Sequence, residues 1–130
     1  MTRTLCIIRH ADAEEYTQAG RDHERRLTRL GSGQARQAGE FLERRSLTPD
    51  LILASTARRA RETAVTLQAV MGLPADLVKA EESLYNGTAN ALLGALRAVD
   101  DSVKTLFLVG HNPGVSELAY QLGDALPGLG

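Results

Sequence analysis

The sequence predicts an α/β fold in which helices cover a mostly parallel sheet. Short apolar runs alternate along the chain with longer segments of helical period, and this alternation is typical of βαβ units. The chain has 130 residues, of which 43% are hydrophobic, and this length is sufficient to bury one core without disulfides or a structural metal. We therefore expect a single domain over residues 1–130.

The first strand and helix lie in the N-terminal third of the chain. The apolar run Thr4–Ile8 predicts a strand, and the polar stretch over 12–26 predicts a loop. Apolar residues then recur on one helical face, which predicts a helix over 28–45. Pro49 marks the break before the next element.

The second strand and helix have the clearest boundaries. The run Leu51–Ala54 is continuously apolar, as expected for a strand that is covered on both faces. Apolar residues at helical spacing predict a helix from 57 to 71, and Gly72 and Pro74 supply its end.

The third strand is weaker in the sequence than the others. A short strand is predicted over 76–78, and a loop is predicted over 81–88. The helix that follows carries Leu92 and Leu96 on one face.

The last strand and helix follow a clear apolar run. Residues 106–109 predict a buried strand. Asn112 and Pro113 are expected to be the N-cap and the first residue of a final helix that ends near Leu122.

Composition excludes several classes of protein. The 15 basic and 16 acidic residues give a formal net charge of -1, so the overall field does not favour nucleic-acid binding, and any affinity for phosphate must come from locally placed arginines. No apolar stretch is long enough to span a bilayer, and the N-terminus lacks a signal-peptide pattern. The lone Cys6 cannot form an internal disulfide, which suits a reducing compartment, so we expect a cytoplasmic protein.

The predicted strands end in residues that are suited to binding an anion. Arg9 and His10 follow the first strand, Ser55 follows the second, and His111 follows the last, while Arg59 lies near the start of a helix. Because parallel strands share one carboxyl edge, where ligands of open α/β sheets bind, these side chains are expected to meet. Helix starts at the same edge favour an anion further.

Other interpretations of single residues were weighed. A serine site built on Ser55 and His111 is disfavoured because the Gly-x-Ser-x-Gly elbow is missing. Gly31-Ser32-Gly33 does not follow the first strand directly, which argues against a dinucleotide site. His23 lies in a polar loop, so we expect it to be exposed and without a catalytic role. Three histidines and one cysteine lack the spacing of zinc ligands, so no metal is expected.

Four segments together resemble the motifs of the histidine phosphatase superfamily, and in particular its SixA-type phosphohistidine phosphatases. Arg9-His10-Ala11 is similar to the Arg-His-Gly or Arg-His-Ala that ends the family's first strand. The other three segments match family motifs in the same order along the chain: 25–31 (Arg-Pro-Leu-Thr-x-x-Gly), 55–63 (Ser-Pro-x-x-Arg-Ala-x-Gln-Thr) and 109–114 (the second-histidine motif). The resemblance implies a three-layer α/β/α sandwich of the phosphoglycerate mutase-like type.

The resemblance also implies a reaction and the residues that perform it. His10 would be the nucleophile, and Arg9, Arg59 and His111 would form the phosphate pocket. Arg25 is a further expected substrate-binding residue. No metal or organic cofactor is implied, because arginines and a second histidine supply the positive field.

Ser55 is likewise expected to bind substrate, and the general acid is expected at Glu82, with Glu81 and Asp12 as alternatives. Thr56, Glu62 and Arg26 replace a proline, a glutamine and a proline of the family motifs.

Phosphohistidine on a protein is the leading substrate hypothesis. The segment between Arg97 and Lys104 is short and no large insertion could form a lid, which favours an open pocket. A small phosphate ester, or phosphate recognition without turnover, remain the alternatives, and a mutase is disfavoured. Relatives continue to a further strand where this sequence ends, so a tail without order is expected from Leu126.

Overall fold

The computed structural model describes residues 3–15 and 20–123. It contains four strands: β1 (Thr4–Arg9), β2 (Leu51–Ser55), β3 (Val78–Glu81) and β4 (Thr105–Gly110). Four α-helices accompany them: α1 (Arg29–Arg44), α2 (Arg58–Val70), α3 (Ala89–Arg97) and α4 (Gly114–Gly123). Short 3-10 turns lie at Asp22–Glu24, Ala75–Leu77 and Glu82–Leu84. The predicted tail from Leu126 and part of the predicted 12–26 loop lie outside the described residues.

All four strands are parallel, in the order β1-β4-β2-β3. After β1 the chain leaves a gap of one strand and forms β2 and then β3. It then returns, and β4 fills the gap between β1 and β2. The direction of winding reverses at that return, so the carboxyl ends of β1, β4 and β2 lie side by side where a ligand site is expected.

Two apolar layers cover the two faces of the sheet, and this arrangement confirms the predicted α/β/α sandwich. Strand residues alternate between the faces. One buried cluster joins the sheet to α1 and α2 through Leu42, Ile52, Ala54, Ala60, Ala64, Leu67, Phe107 and Val109. The opposite cluster joins it to α3 and α4 through Leu53, Leu84, Ala89, Leu92, Leu106, Leu108, Val115 and Leu118. Within the described residues, no helix is both long and apolar enough to cross a bilayer.

Two predicted boundaries were wrong. The third strand begins at Val78 rather than Asp76, because the residues after Pro74 form a 3-10 turn in which the Leu77 amide donates to the Pro74 carbonyl. The last helix begins at Gly114 rather than Pro113. Asn112 is therefore one residue before the N-cap position, but its side-chain oxygen still accepts from the first turn, from the amide of Ser116 at 3.2 Å.

Candidate active site

His10 and His111 follow two neighbouring strands. Arg9 is paired with Gly110 across the β1–β4 ladder, and the His10 amide extends the ladder by donating to the Gly110 carbonyl at 3.0 Å. The strand pairing therefore brings together two residues that are far apart in the sequence. The centroids of the two imidazole rings lie 5.2 Å apart, with a 60° angle between the ring planes.

The hydrogen bonds of His10 define its neutral tautomer. Nδ1 lies 2.8 Å from the carbonyl oxygen of Ala11. Because a carbonyl can only accept, Nδ1 must carry the proton, and Nε2 of the neutral ring therefore holds a lone pair. The Nε–H of Arg59 points at this lone pair from 3.3 Å. Burial lowers the pKa of His10, and the nearby Arg59 and Arg9 guanidinium groups lower it further against the opposing Ala11 bond.

Arg59 is buried, with only 3% of its surface exposed, and it links His10 to Asp22. Its Nη1 donates to the Asp22 carbonyl oxygen at 2.7 Å and its Nη2 to Asp22 Oδ2 at 3.1 Å. His10 and Asp22 thus accept from three of its N–H groups, and these bonds fix the orientation of the guanidinium plane. The general expectation that arginines on helix surfaces are solvated does not hold for this one.

Asp22 holds several cationic and polar groups of the site at once. In addition to Arg59, it accepts from Arg25 Nη1 at 2.9 Å and from the Tyr85 hydroxyl at 2.6 Å. Burial alone would raise the pKa of Asp22, but these bonds together hold it well below its usual range. The same carboxylate raises the pKa of Tyr85.

His111 is buried and neutral at physiological pH. It is 4% exposed, and burial together with Arg59 and His10 lowers its pKa to about 4. Its Nε2 lies 2.7 Å from Ser55 Oγ, and this oxygen accepts from the Ala57 amide. Its Nδ1 is the one buried side-chain nitrogen or oxygen in the described parts of the chain that has no hydrogen-bond partner.

A hollow of about 210 Å³ opens beside His10 and is lined by Arg9, Arg25, Asp12 and Gln34 among others. Arg9 is exposed, and its guanidinium group makes no hydrogen bond or ion pair within residues 3–15 and 20–123. Arg25 is held at the rim by Asp22. A phosphate-sized anion in this hollow would therefore meet two guanidinium groups beside His10.

Glu82 is exposed and lies at one end of a short hydrogen-bonded chain. Thr56 Oγ1 donates to Glu82 Oε2 at 2.7 Å, and it lies 3.0 Å from His23 Nε2. Since the threonine has only one hydroxyl proton, the second contact requires His23 Nε2 to donate. The His23 ring packs edge-on against Tyr85 at 4.8 Å, and Tyr85 packs against His111 at 5.7 Å.

The expectation that His23 would be exposed was wrong, since its side chain is only 37% exposed and is bonded to Thr56. The chain from β2 to α2 passes close to the 22–24 turn, and this approach covers the ring. Sequence analysis also missed Asp22 and Tyr85. A carboxylate three residues before Arg25 was the available signal for Asp22, whereas Tyr85 had none beyond its closeness to Glu82.

The structure brings His10, Arg9, Arg59, His111 and Arg25 together, as the sequence predicted. Ser55 is fully buried with its Oγ 2.7 Å from His111 Nε2, and its role in substrate binding stays a prediction. Neither Asp12 nor Glu82 is hydrogen-bonded to His10: the Asp12 side chain accepts from Thr28 and that of Glu82 from Thr56. In the described segments, no group of three or more histidine, cysteine, aspartate or glutamate side chains could hold a metal ion.

The chain matches the model of the histidine phosphatase superfamily (branch 1) over residues 5–84. An uncharacterised protein of Mycobacterium tuberculosis is 36% identical over 117 residues, which cover 90% of this chain and 70% of that protein.

Two solved structures extend the comparison. One, from Nakamurella multipartitia, is assigned as a phosphohistidine phosphatase SixA; it is 35% identical with a TM-score of 0.80, over 92% of this chain and 65% of that one. The protein histidine phosphatase SixA complexed with tungstate is 25% identical with a TM-score of 0.81, over 91% and 75%. The chain thus spans about two thirds of the Nakamurella structure's length, and the phosphoglycerate mutase-like fold is confirmed. On this match and these similarities, the chain belongs to the histidine phosphatase superfamily.

Proposed function

We propose that this chain hydrolyses phosphohistidine on a protein through a phosphorylated His10. Family membership supports a phosphatase. The observation that carries the finer proposal is the bond from His10 Nδ1 to the Ala11 carbonyl, which leaves the Nε2 lone pair as the nucleophile. The lowered pKa keeps that lone pair available at neutral pH.

In the first step, His10 Nε2 forms a bond to phosphorus while the bond from phosphorus to the leaving nitrogen breaks. The leaving imidazole takes up a proton from solvent or a nearby acid, and the phosphoryl group stays on Nε2. Water then attacks the phosphorus, its proton is lost to solvent or a nearby base, and inorganic phosphate leaves as Nε2 regains its lone pair.

Fixed donors around His10 would stabilise the charge that builds on the phosphoryl oxygens. Arg9 and Arg25 line the hollow, and the Nε–H of Arg59 donates to His10 Nε2, the proposed nucleophile. If the Ser55 hydroxyl donates to Nε2 of His111, the proton of that ring lies on Nδ1, which can then donate to a phosphoryl oxygen. Groups already held in place need no reorganisation as the reaction proceeds.

A phosphoramidate suits this site better than an ester because imidazole is a better leaving group than an alkoxide. Glu82, the proposed general acid, is hydrogen-bonded to Thr56 and not to His10, and a phosphoramidate needs less acid assistance than an ester. The tungstate bound to the similar SixA structure is a tetrahedral oxyanion like phosphate and supports an anion site.

The proposal has three further parts. Catalysis without a metal is inferred because guanidinium groups supply the positive charge. The one continuous sheet of the described residues supports a single domain over residues 1–130, and the single cysteine supports a cytoplasmic location.

Rapid quenching with a phosphohistidine protein labelled on phosphorus tests the proposal. The wild type should show label on the enzyme that is stable to base and lost in acid, and His10→Ala should show none. His23→Ala is the matched control and should keep the label. A folded wild type that never acquires label, while His10→Ala still binds phosphate, would instead indicate a recognition module.

The anchored carboxylate of Glu82 favours one alternative, a phosphatase for small phosphate esters, since an alkoxide needs a general acid. A substrate panel distinguishes the two. Higher kcat/KM for sugar or nucleotide phosphates than for phosphohistidine would reject the leading proposal in favour of this alternative.

A further inference from the structure

A second, larger groove lies outside the catalytic hollow. It has a volume of about 850 Å³ and runs between the start of α1 and one side of α2. Four arginines line it, Arg26, Arg29, Arg58 and Arg61, and exposed Val65 adds apolar surface. The α2 residues that line it recur at helical spacing, so they form a continuous stripe along one side of that helix.

The groove has an excess of positive charge although the whole chain has a net charge of -1. Its two carboxylates are already engaged: Glu14 accepts from the side chain and amide of Arg26, and Glu62 accepts from Arg58 and a backbone amide. The guanidinium group of Arg29 makes no hydrogen bond or ion pair with any other described residue, and that of Arg61 uses only its Nε–H, on the Thr56 carbonyl. Two guanidinium groups therefore face the groove without a carboxylate.

The groove adjoins the catalytic hollow across one thin ribbon of chain. Ala13 is bridged to Leu27, and the Glu14 amide donates to the Arg26 carbonyl. Ala13 and Arg25 line the hollow, whereas Glu14 and Arg26 line the groove. Neighbouring residues of the ribbon thus line the two cavities. Two paired strands at about 5 Å each take up about 10 Å, which is the length of about three extended residues.

The shape of the groove suits an extended peptide better than a small molecule. Three of its arginines and Val65 are exposed, whereas small-ligand sites enclose most of their ligand. The stripe on α2 runs from Arg58 to Thr66, about 12 Å at the rise of an α-helix, which matches three to four extended residues.

We propose that this groove docks an acidic segment of the phosphoprotein whose phosphohistidine enters the hollow. The inference rests on the proposed function and adds a determinant of substrate choice. The acidic segment would lie about three residues from the phosphohistidine, and its carboxylates would pair with Arg29 and Arg61. Val65 would contact an apolar side chain between them.

Phosphohistidine peptides test this inference. Each carries one phosphohistidine, a three-residue spacer and a flank of four glutamates or four glutamines, on either the N-terminal or the C-terminal side. With the flank on one of the two sides, kcat/KM of the wild type at low salt should be about tenfold higher for the glutamate peptide than for the glutamine peptide. The two values should converge as the salt concentration rises, because charges at the rim of a site act mainly on the association rate and are screened by salt.

Arg29→Glu should abolish the preference for glutamate while leaving turnover of a small phosphoramidate within about twofold, since a charge at the rim affects encounter and not chemistry. Arg97→Glu makes the same charge change on the opposite helical layer and should keep the preference. The double variant Arg29→Glu/Arg61→Glu should favour the glutamine flank.

A wild type that hydrolyses both flanks equally in both directions would overturn the docking inference and leave the proposed function intact. The same holds if Arg97→Glu loses the preference as fully as Arg29→Glu does. If no phosphohistidine peptide is hydrolysed, the proposed function fails. Fluorescence anisotropy of the unphosphorylated peptides then tests docking in the groove separately. Binding of the glutamate peptide that Arg29→Glu removes would still support docking. The absence of such binding would refute it.

Discussion

The burial of neutral His111 predicts that the protein loses stability as the pH falls from 7 to 5. The pKa of an unfolded histidine is about 6.5, and burial lowers the pKa of His111 in the folded chain to about 4. Between these values the unfolded chain binds a proton that the folded chain does not. The contribution of His111 to stability is therefore fully present above pH 6.5 and decreases as the pH falls toward 4.

The two pKa values determine the size of this effect. The contribution of His111 to the free energy of unfolding should fall by about 2 kcal/mol between pH 7 and pH 5, at 1.36 kcal/mol per pKa unit. His10 acts in the same direction, because its pKa is also lowered by burial. No discount for solvent screening applies to His111, since only 4% of its surface is exposed.

Urea unfolding at pH 7 and pH 5 measures this loss, and His111→Gln isolates the contribution of the one residue. Glutamine is uncharged at both pH values, and its amide can still bond to Ser55. The wild type should lose about 2 kcal/mol more than the variant between the two pH values. The destabilisation caused by the substitution itself cancels in this comparison. Buffers should lack phosphate and sulfate, since an oxyanion that binds the folded state would add stability.

An equal loss in the two proteins would refute the reasoning. It would mean that His111 takes up a proton in the folded chain as easily as in the unfolded one. The ring would then be accessible to water, and its proposed role as a buried neutral donor to phosphate would fail as well.

Three further predictions concern other parts of the site. Gly31→Ala should destabilise the fold by about 2–4 kcal/mol, because the new Cβ would overlap the backbone carbonyl of Asp12. Gly33→Ala has open space around it in the same helix and should stabilise the fold by about 0.5–1 kcal/mol. Thermal unfolding measures both changes. Thr56→Val should lower kcat for a phosphate ester by about tenfold and leave a phosphoramidate unchanged, since it frees Glu82, the proposed acid; equal losses for both substrates would contradict this. Asp22→Asn should raise KM by about tenfold by loosening the two arginines it holds, and spectroscopic titration should show the raised pKa of Tyr85 returning toward 10.

The central part of the site could be predicted from the sequence because it depends on strand ends. A buried apolar run followed by Arg9-His10, and another followed by His111, needs only the rule that parallel strands share a carboxyl edge. The structure confirms that these residues meet. The strands β1, β2 and β4 were also found where they were predicted, because continuous apolar runs mark strands that are covered on both faces.

The outer part of the site could not be predicted because it depends on approach between loops. Asp22 and His23 lie in a polar stretch whose path is decided by a short 3-10 turn and by contacts with Thr56 and Tyr85. Neither periodicity nor a strand end marks such positions. The burial of Arg59 was hidden for a similar reason, since its surroundings in the sequence are those of a solvated helix face.

The position of β4 inside the sheet has a consequence for how the protein is made. During synthesis, β1, β2 and β3 leave the ribosome before β4, yet β1 has no described sheet partner except β4. A nascent chain that ends near residue 100 therefore leaves β1 unpaired and lacks the second imidazole. Capacity to bind phosphate should thus arise abruptly, when the segment 105–111 emerges and inserts, rather than growing with chain length.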